Sequence, residues 1–246
     1  GDGGDELADA DKITDFTDGT DVLGLDNGLL YTELTIAQGS GFYANHTVIS
    51  KGSEYLAILE GIDSSSINYF DFVSMASGNQ TLTGSSGDDV ILGASGIDSV
   101  TTKAGTDVIL TYGGDDAITV DGAGDKTIDG GTGTDSLTIS NLSSMADFSS
   151  KSYNKSSEYY SLTTSSSDVI SFKAVESLVV GSNTYKLILG DGSTRSWLGD
   201  IEAGYSRYDG VLFDSGNNAA YLFDQDSTSS TNITNLSTSG LSSYGI

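Results

Sequence analysis

Between Gly84 and Thr138 an aliphatic side chain recurs once in nine residues, set in runs of Gly, Ser, Thr and Asp. The units are GSSGDDVIL (84–92), GASGIDSVT (93–101), TKAGTDVIL (102–110), TYGGDDAIT (111–119), DGAGDKTID (121–129) and GGTGTDSLT (130–138), with Val120 as one extra residue. Position eight holds Ile91, Val100, Ile109, Ile118, Ile128 and Leu137. Nine residues accommodate a turn of about six and a strand of about three. One inward residue per strand then follows from the alternation of strand faces. Outside the repeat the pattern predicts short strands divided by Gly, Ser and Asn turns. They lie at 34–36, 47–49 and 55–59, twice within 168–181, at 186–189 and at 210–213. Residues 219–223 read as a strand or a short helical turn, and the Ser/Thr/Asn-rich tail from Ser227 to Ile246 as weakly ordered or extended. The expected class is all-β, in three parts: 1–76, 77–142 and 143–246. Phe70, Phe72 and Val73 are expected to cover the start of the repeat. No apolar run approaches the roughly 18 residues of a membrane span.

The polar positions of the repeat carry the chemistry. Position four is Gly in all six units: Gly87, Gly96, Gly105, Gly114, Gly124 and Gly133. Position six is Asp89, Asp98, Asp107, Asp116 and Asp135, with Lys126 as the exception. If two units close one coil of a parallel β-solenoid, successive coils stack about 4.8 Å apart. Each Asp then lies above the Asp two units later. Such carboxylates repel unless a cation lies between them, and Ca²⁺ suits an oxygen-only shell of six to eight ligands.

The run resembles the RTX family, the hemolysin-type calcium-binding repeats of form GGxGxDxUx, a pattern known for β-helices that bind calcium. The resemblance implies a parallel β-roll with Ca²⁺ held between loops two units apart by position-six carboxylates and loop carbonyls. It pairs Asp89 with Asp107, Asp98 with Asp116, and Asp116 with Asp135. Opposite Asp107 the pattern fails at Lys126, where Asp125, one place earlier, is the alternative ligand. The first Gly of the motif is absent from the units beginning Thr102, Thr111 and Asp121.

Residues 1–7, GDGGDEL, read as the back half of an earlier unit, with Asp5 at position six and Leu7 at position eight. A chain that opens inside a repeat reads as part of a longer product whose export signal lies elsewhere. Residues 11–25, DKITDFTDGTDVLGL, resemble the segment D-x-I-x-D-F-x-x-G-x-D-x-I-x-L that follows many RTX runs and closes the roll. There Asp9, Asp11, Asp15, Asp18 and Asp21 are either further calcium ligands or turn formers.

Composition narrows the function. The 246 residues include 35 Asp+Glu against 10 Lys+Arg, a net charge of −25. Phosphate binding needs clustered cations, so nucleic acid and anionic membrane surfaces are poor partners. The absence of Cys and the single His46 exclude thiolate sites and two-histidine zinc motifs. No G-x-S-x-G elbow and no phosphate-binding G-x-x-x-x-G-K-[ST] loop occurs. His46 reads as a surface or strand residue, and residues 190–193 as a turn. Trp197, Tyr205, Arg207 and Tyr208 read as core and edge residues of a β-domain, or as an adhesive patch.

The expectation is a non-enzymatic, secreted calcium-binding protein of the bacterial cell surface. It is a structural or adhesive subunit of a surface layer or matrix that folds, and self-assembles, on meeting extracellular calcium. Its partners are calcium, copies of itself or cell-surface glycans, without nucleic acid or membrane insertion. The alternatives are a calcium-folded stability module of a larger exported enzyme or toxin, and a sugar- or peptide-binding adhesin domain.

Overall fold

The computed structural model describes residues 3–26, 29–154, 156–189, 210–214, 219–223 and 230–234. The chain divides into two compact units, Gly1–Ser77 and Gly78–Ile246. The class is all-β: among the described residues the only helical elements are six 3-10 turns of three residues each. None of them is long and apolar enough to cross a membrane.

The first unit holds β1 (Asp11–Ile13), β2 (Leu23–Leu25), β3 (Thr35–Gln38), β4 (Thr47–Lys51), β5 (Glu54–Leu59) and β6 (Phe72–Ser74). Strands β3, β4 and β5 form an antiparallel meander, and β1 adds to β5 in parallel. Gly52, at φ +60°, opens the two-residue turn between β4 and β5, where a positive φ matches the strand twist. Val48, Ile58 and Ala10 are buried together. Strands β2 and β6 pair in parallel, and Phe72 is buried with its ring edge-on to Tyr31 at 5.1 Å. Phe70, by contrast, is half exposed.

The second unit begins with seven strands from the repeat region: β7 (Thr81–Thr83), β8 (Val90–Leu92), β9 (Ser99–Thr101), β10 (Asp107–Leu110), β11 (Ala117–Val120), β12 (Lys126–Asp129) and β13 (Ser136–Ile139). Consecutive strands go to different sheets. Strands β8, β10 and β12 pair in parallel in one, and β7, β9, β11 and β13 in the other. Parallel neighbours need a connection of a dozen or more residues, usually helical. Here the connection contains a strand of the opposite sheet. Position eight pairs with position eight throughout: Ile91 with Ile109 and Ile109 with Ile128, Val100 with Ile118 and Ile118 with Leu137. All six join one buried cluster. Each contributes roughly 1.5–3 kcal/mol on burial. The extra Val120 is absorbed as a fourth strand residue, buried and paired with Ile139.

The parallel pairing continues beyond the sixth repeat. The hairpin of β14 (Phe148–Asn154) and β15 (Tyr159–Thr164) intervenes, and then β16 (Val169–Lys173) pairs in parallel with β12 and β17 (Ser177–Val180) with β13. Phe172 and Leu178 thereby take the inward places beside Ile128 and Leu137. Antiparallel strands border both sheets: the β14–β15 hairpin on one, and on the other β18 (Asn183–Leu189), β19 (Gly210–Asp214), β20 (Ala219–Phe223) and β21 (Ser230–Thr234). Residues 219–223 are thus a strand, not a helical turn. Residues 190–193, Trp197, Tyr205, Arg207 and Tyr208 lie outside the described residues.

Close backbone stacking explains the invariant position-four glycine. A Cβ at Gly105, Gly114, Gly124 or Gly133 would collide with the carbonyl oxygen of Gly87, Gly96, Gly105 or Gly114 respectively, the glycine two units earlier. These four residues also have positive φ, where a side chain is strained.

Candidate metal centre

Positions six and eight lie two residues apart, so a strand presents them on the same face. Position eight enters the core, and position six is carried to its edge. Asp98, Asp107, Asp116, Lys126 and Asp135 are each only 1% exposed. Burying charged groups at this depth is costly unless each finds a partner.

One oxygen of each buried Asp has a structural partner. Oδ1 of Asp107 accepts the N–H of Asp89 at 3.1 Å, Oδ1 of Asp116 that of Asp98 at 2.7 Å, and Oδ1 of Asp135 that of Asp116 at 2.8 Å. Each carboxylate thus fastens the start of the strand two units earlier. Oδ2 of Asp107, Asp116 and Asp135 is buried and accepts no well-aligned hydrogen bond, although Lys126 approaches the Asp107 carboxylate and Thr111 that of Asp116. Burial pushes the carboxyls of Asp107 and Asp116 above the usual range, and that of Asp135 up to about 6. The charges of Asp116 and Glu176 add to the effect at Asp135. Asp98 differs: Oδ1 accepts from Gln80 N–H and Oδ2 from Ala94 N–H. Asp89 is half exposed and accepts from the Ser85 amide and hydroxyl.

Strand register sorts these residues into two ladders. One sheet carries Asp89, Asp107, Lys126 and Ile170, and the other Gln80, Asp98, Asp116, Asp135 and Glu176. The pairings Asp89–Asp107, Asp98–Asp116 and Asp116–Asp135 are therefore stacked neighbours. Buried carboxylate oxygens without aligned hydrogen bonds, in a chain without thiols, are a donor set suited to a hard cation such as Ca²⁺. Among the described residues no three His, Asp or Glu side chains converge on one point. A cation here would draw the rest of its shell from backbone carbonyls.

Lys126 is the exception in space as well as in sequence. Its Nζ donates to the carbonyls of Gly105, Ala123 (3.0 Å) and Gly124 (3.2 Å). It lies 3.1 Å from Asp107 Oδ2, a charge contact without hydrogen-bond alignment. Asp125 does not turn inward to replace it. Its Oδ1 accepts the N–H of Val169 at 2.8 Å. Asp88 holds Thr106 N–H and Asp115 holds Thr134 N–H in the same way, so position five forms an outer, exposed ladder of its own.

The first-unit acids are arranged differently. Asp5 is exposed beside the antiparallel Gly4–Tyr55 bridge, and Leu7 lies in the 3-10 turn Leu7–Asp9, not in a parallel strand. Asp9, Asp11, Asp15, Asp18 and Asp21 are all exposed. Asp21 accepts Thr17 N–H at 2.8 Å, a turn-forming contact. Asp18 lies against buried Asp71, whose carboxyl is raised first by burial and then by that neighbour. His46 Nδ1 accepts Gly61 N–H at 2.8 Å, which commits that nitrogen to the backbone.

Sequence spacing missed Glu176. Its Oε2 accepts Asp135 N–H at 2.7 Å, the place a position-six Asp would fill. The hairpin puts it 41 residues after Asp135, outside any nine-residue count. The surviving signal is the acid-x-aliphatic triplet Glu176-Ser177-Leu178. No protein-family model matches the chain, and no curated protein matches it.

Proposed function

We propose that the repeat region is a parallel β-roll of the RTX kind that completes its fold by binding Ca²⁺. In this reading the chain is a non-enzymatic, secreted structural or adhesive protein of the bacterial cell surface. The observation that carries it is the pair of buried carboxylate oxygens with no cation beside them on the Asp98–Asp116–Asp135 ladder, Oδ2 of Asp116 and Oδ2 of Asp135, whereas Oδ2 of Asp107 has Lys126 at 3.1 Å. Asp116 belongs to two stacked pairs and is the central ligand. The bound ion supplies positive charge between carboxylates that otherwise repel. The residues themselves fasten the strand starts through Oδ1 and hold the ligand oxygens at the edge of the core. Extracellular calcium modules bind at about 10⁻⁴–10⁻³ M, above cytosolic levels. A chain of net charge −25 then stays loosely folded before export and compacts outside the cell.

A calcium titration followed by circular dichroism and light scattering tests this. The expected result is β-structure gained between about 10⁻⁴ and 10⁻³ M calcium, with scattering that reports assembly. Folding indifferent to chelator would overturn the calcium reading. A strictly monomeric calcium-bound product would overturn the surface-assembly reading alone.

A further inference from the structure

The repeat frame calls for a carboxylate at position 126, and the chain supplies an ammonium. Its three N–H donors match three carbonyl acceptors, those of Gly105, Ala123 and Gly124, and Asp107 adds a fourth oxygen neighbour at 3.1 Å. The stacked pairs Asp98–Asp116 and Asp116–Asp135 have no cationic side chain on their ladder. The side chain is fully buried, so water does not complete the shell. The next residue in the ladder explains why a carboxylate would be worse here. Ile170 pairs with Lys126 and brings no oxygen, so an acid at 126 would face Asp107 on one side and a hydrocarbon on the other.

We propose that the Lys126 ammonium is a tethered cation that occupies the metal position between the third and fifth repeats. This rests on the calcium reading above for the identity of the position, but the ammonium itself needs no calcium. The consequence is a repeat protein with one site filled in advance. β10 and β12 are joined through Asp107 and Lys126 before any metal binds, and give the remaining sites a preformed edge to build on.

The experiment uses the full chain and two variants, Lys126→Met and Lys126→Asp, with bound calcium counted by equilibrium dialysis and amide exchange followed in β10 and β12. Wild type in chelator is expected to keep more protection in β10 and β12 than Lys126→Met, by at least tenfold in exchange rate. Lys126→Asp is expected to lose that protection in chelator, to regain it in calcium, and to bind one more ion per chain than wild type. If Lys126→Met is as protected as wild type, or if Lys126→Asp binds no additional ion in a protein whose other sites fill, the tethered-cation assignment fails while the calcium reading stands. If wild type binds no calcium at all, the calcium reading fails; the ion pair then survives only as a structural contact, and the assignment of a metal position falls with it. Should Lys126→Met not fold, the ion count of Lys126→Asp in calcium decides alone.

Discussion

The two ladders of the second unit begin from the same repeat and bury their inner rungs, Asp107 and Lys126 on one and Asp98, Asp116 and Asp135 on the other, to the same depth, yet they handle charge in different ways. On one, Asp107 faces Lys126 and the series then ends at Ile170. On the other, Asp98, Asp116 and Asp135 run on to Glu176 with no cationic side chain among them. The first ladder is compensated from within the chain by Lys126, and the second, in the proposed calcium reading, takes its cation from solution. A backbone that stacks its strand starts this closely therefore does not fix how the stacked charges are satisfied. One residue in each rung does.

The largest expected effect is at the centre of the uncompensated ladder. Asp116→Asn keeps an oxygen for Asp98 N–H and removes the charge. In calcium it is expected to cost about 2–3 kcal/mol of stability, the scale for a lost charged partner, and to raise the calcium midpoint by tenfold or more. In chelator the sign reverses, because a repelling charge has been removed, and the variant should be as stable as wild type or more so. Asp89→Asn, on a half-exposed residue already bonded to Ser85, should shift the midpoint by less than threefold. Denaturant unfolding of the three proteins with and without calcium gives both numbers. Equal shifts would break the distinction between a central and an outer rung.

The pH dependence follows next in size. Folded Asp135 holds its proton up to about pH 6 against a usual value of 3.8. Between those limits the folded chain binds more protons than the unfolded one, so without calcium stability should rise as pH falls from 6 toward 4. The shift corresponds to something on the order of 2–3 kcal/mol for this buried group. Calcium requires the carboxylate, so with calcium the same acidification should destabilise. Asp63, Asp121 and Asp147, exposed and lowered by hydrogen bonds, oppose the calcium-free trend only as pH falls below about 3.8. Thermal midpoints across pH 4–7, with calcium and with chelator, should therefore slope in opposite directions. Parallel slopes would mean that the second ladder is not a cation site.

What could be read in the sequence was whatever repeats at a fixed spacing. Positions four, six and eight gave the glycine stack, the buried acids and the core, because a nine-residue unit returns the same residue to the same place. The stacked Asp pairs were legible for that reason. Glu176 and Ile170 were not, because the β14–β15 hairpin shifts them out of phase while strand pairing brings them back. Lys126 was visible as an exception, but its partners were not, since they are backbone carbonyls that no residue letter records. The acids from Asp11 to Asp21 show the opposite case, a spacing that leaves calcium ligand and turn former both open. Their spacing resembles the segment that closes a roll; all lie exposed in the first unit, and Asp21 closes a local turn with Thr17.

The smallest expected effect separates the inner ladder from the outer one. Asp125 is the acid nearest the Lys126 exception, but its carboxylate faces out and holds Val169 N–H, as Asp88 and Asp115 hold Thr106 and Thr134. These are single hydrogen bonds at exposed residues, worth about 0.5–1.5 kcal/mol each. Asp125→Asn preserves an acceptor and should change stability by less than about 0.5 kcal/mol. Asp125→Ala should cost about 1 kcal/mol by loosening the start of β16. Neither should change the number of calcium ions bound, because the carboxylate they remove never reaches the buried position that Lys126 fills. An ion lost in both variants, counted by equilibrium dialysis, would move Asp125 into the metal shell and erase the difference between the two ladders at that rung.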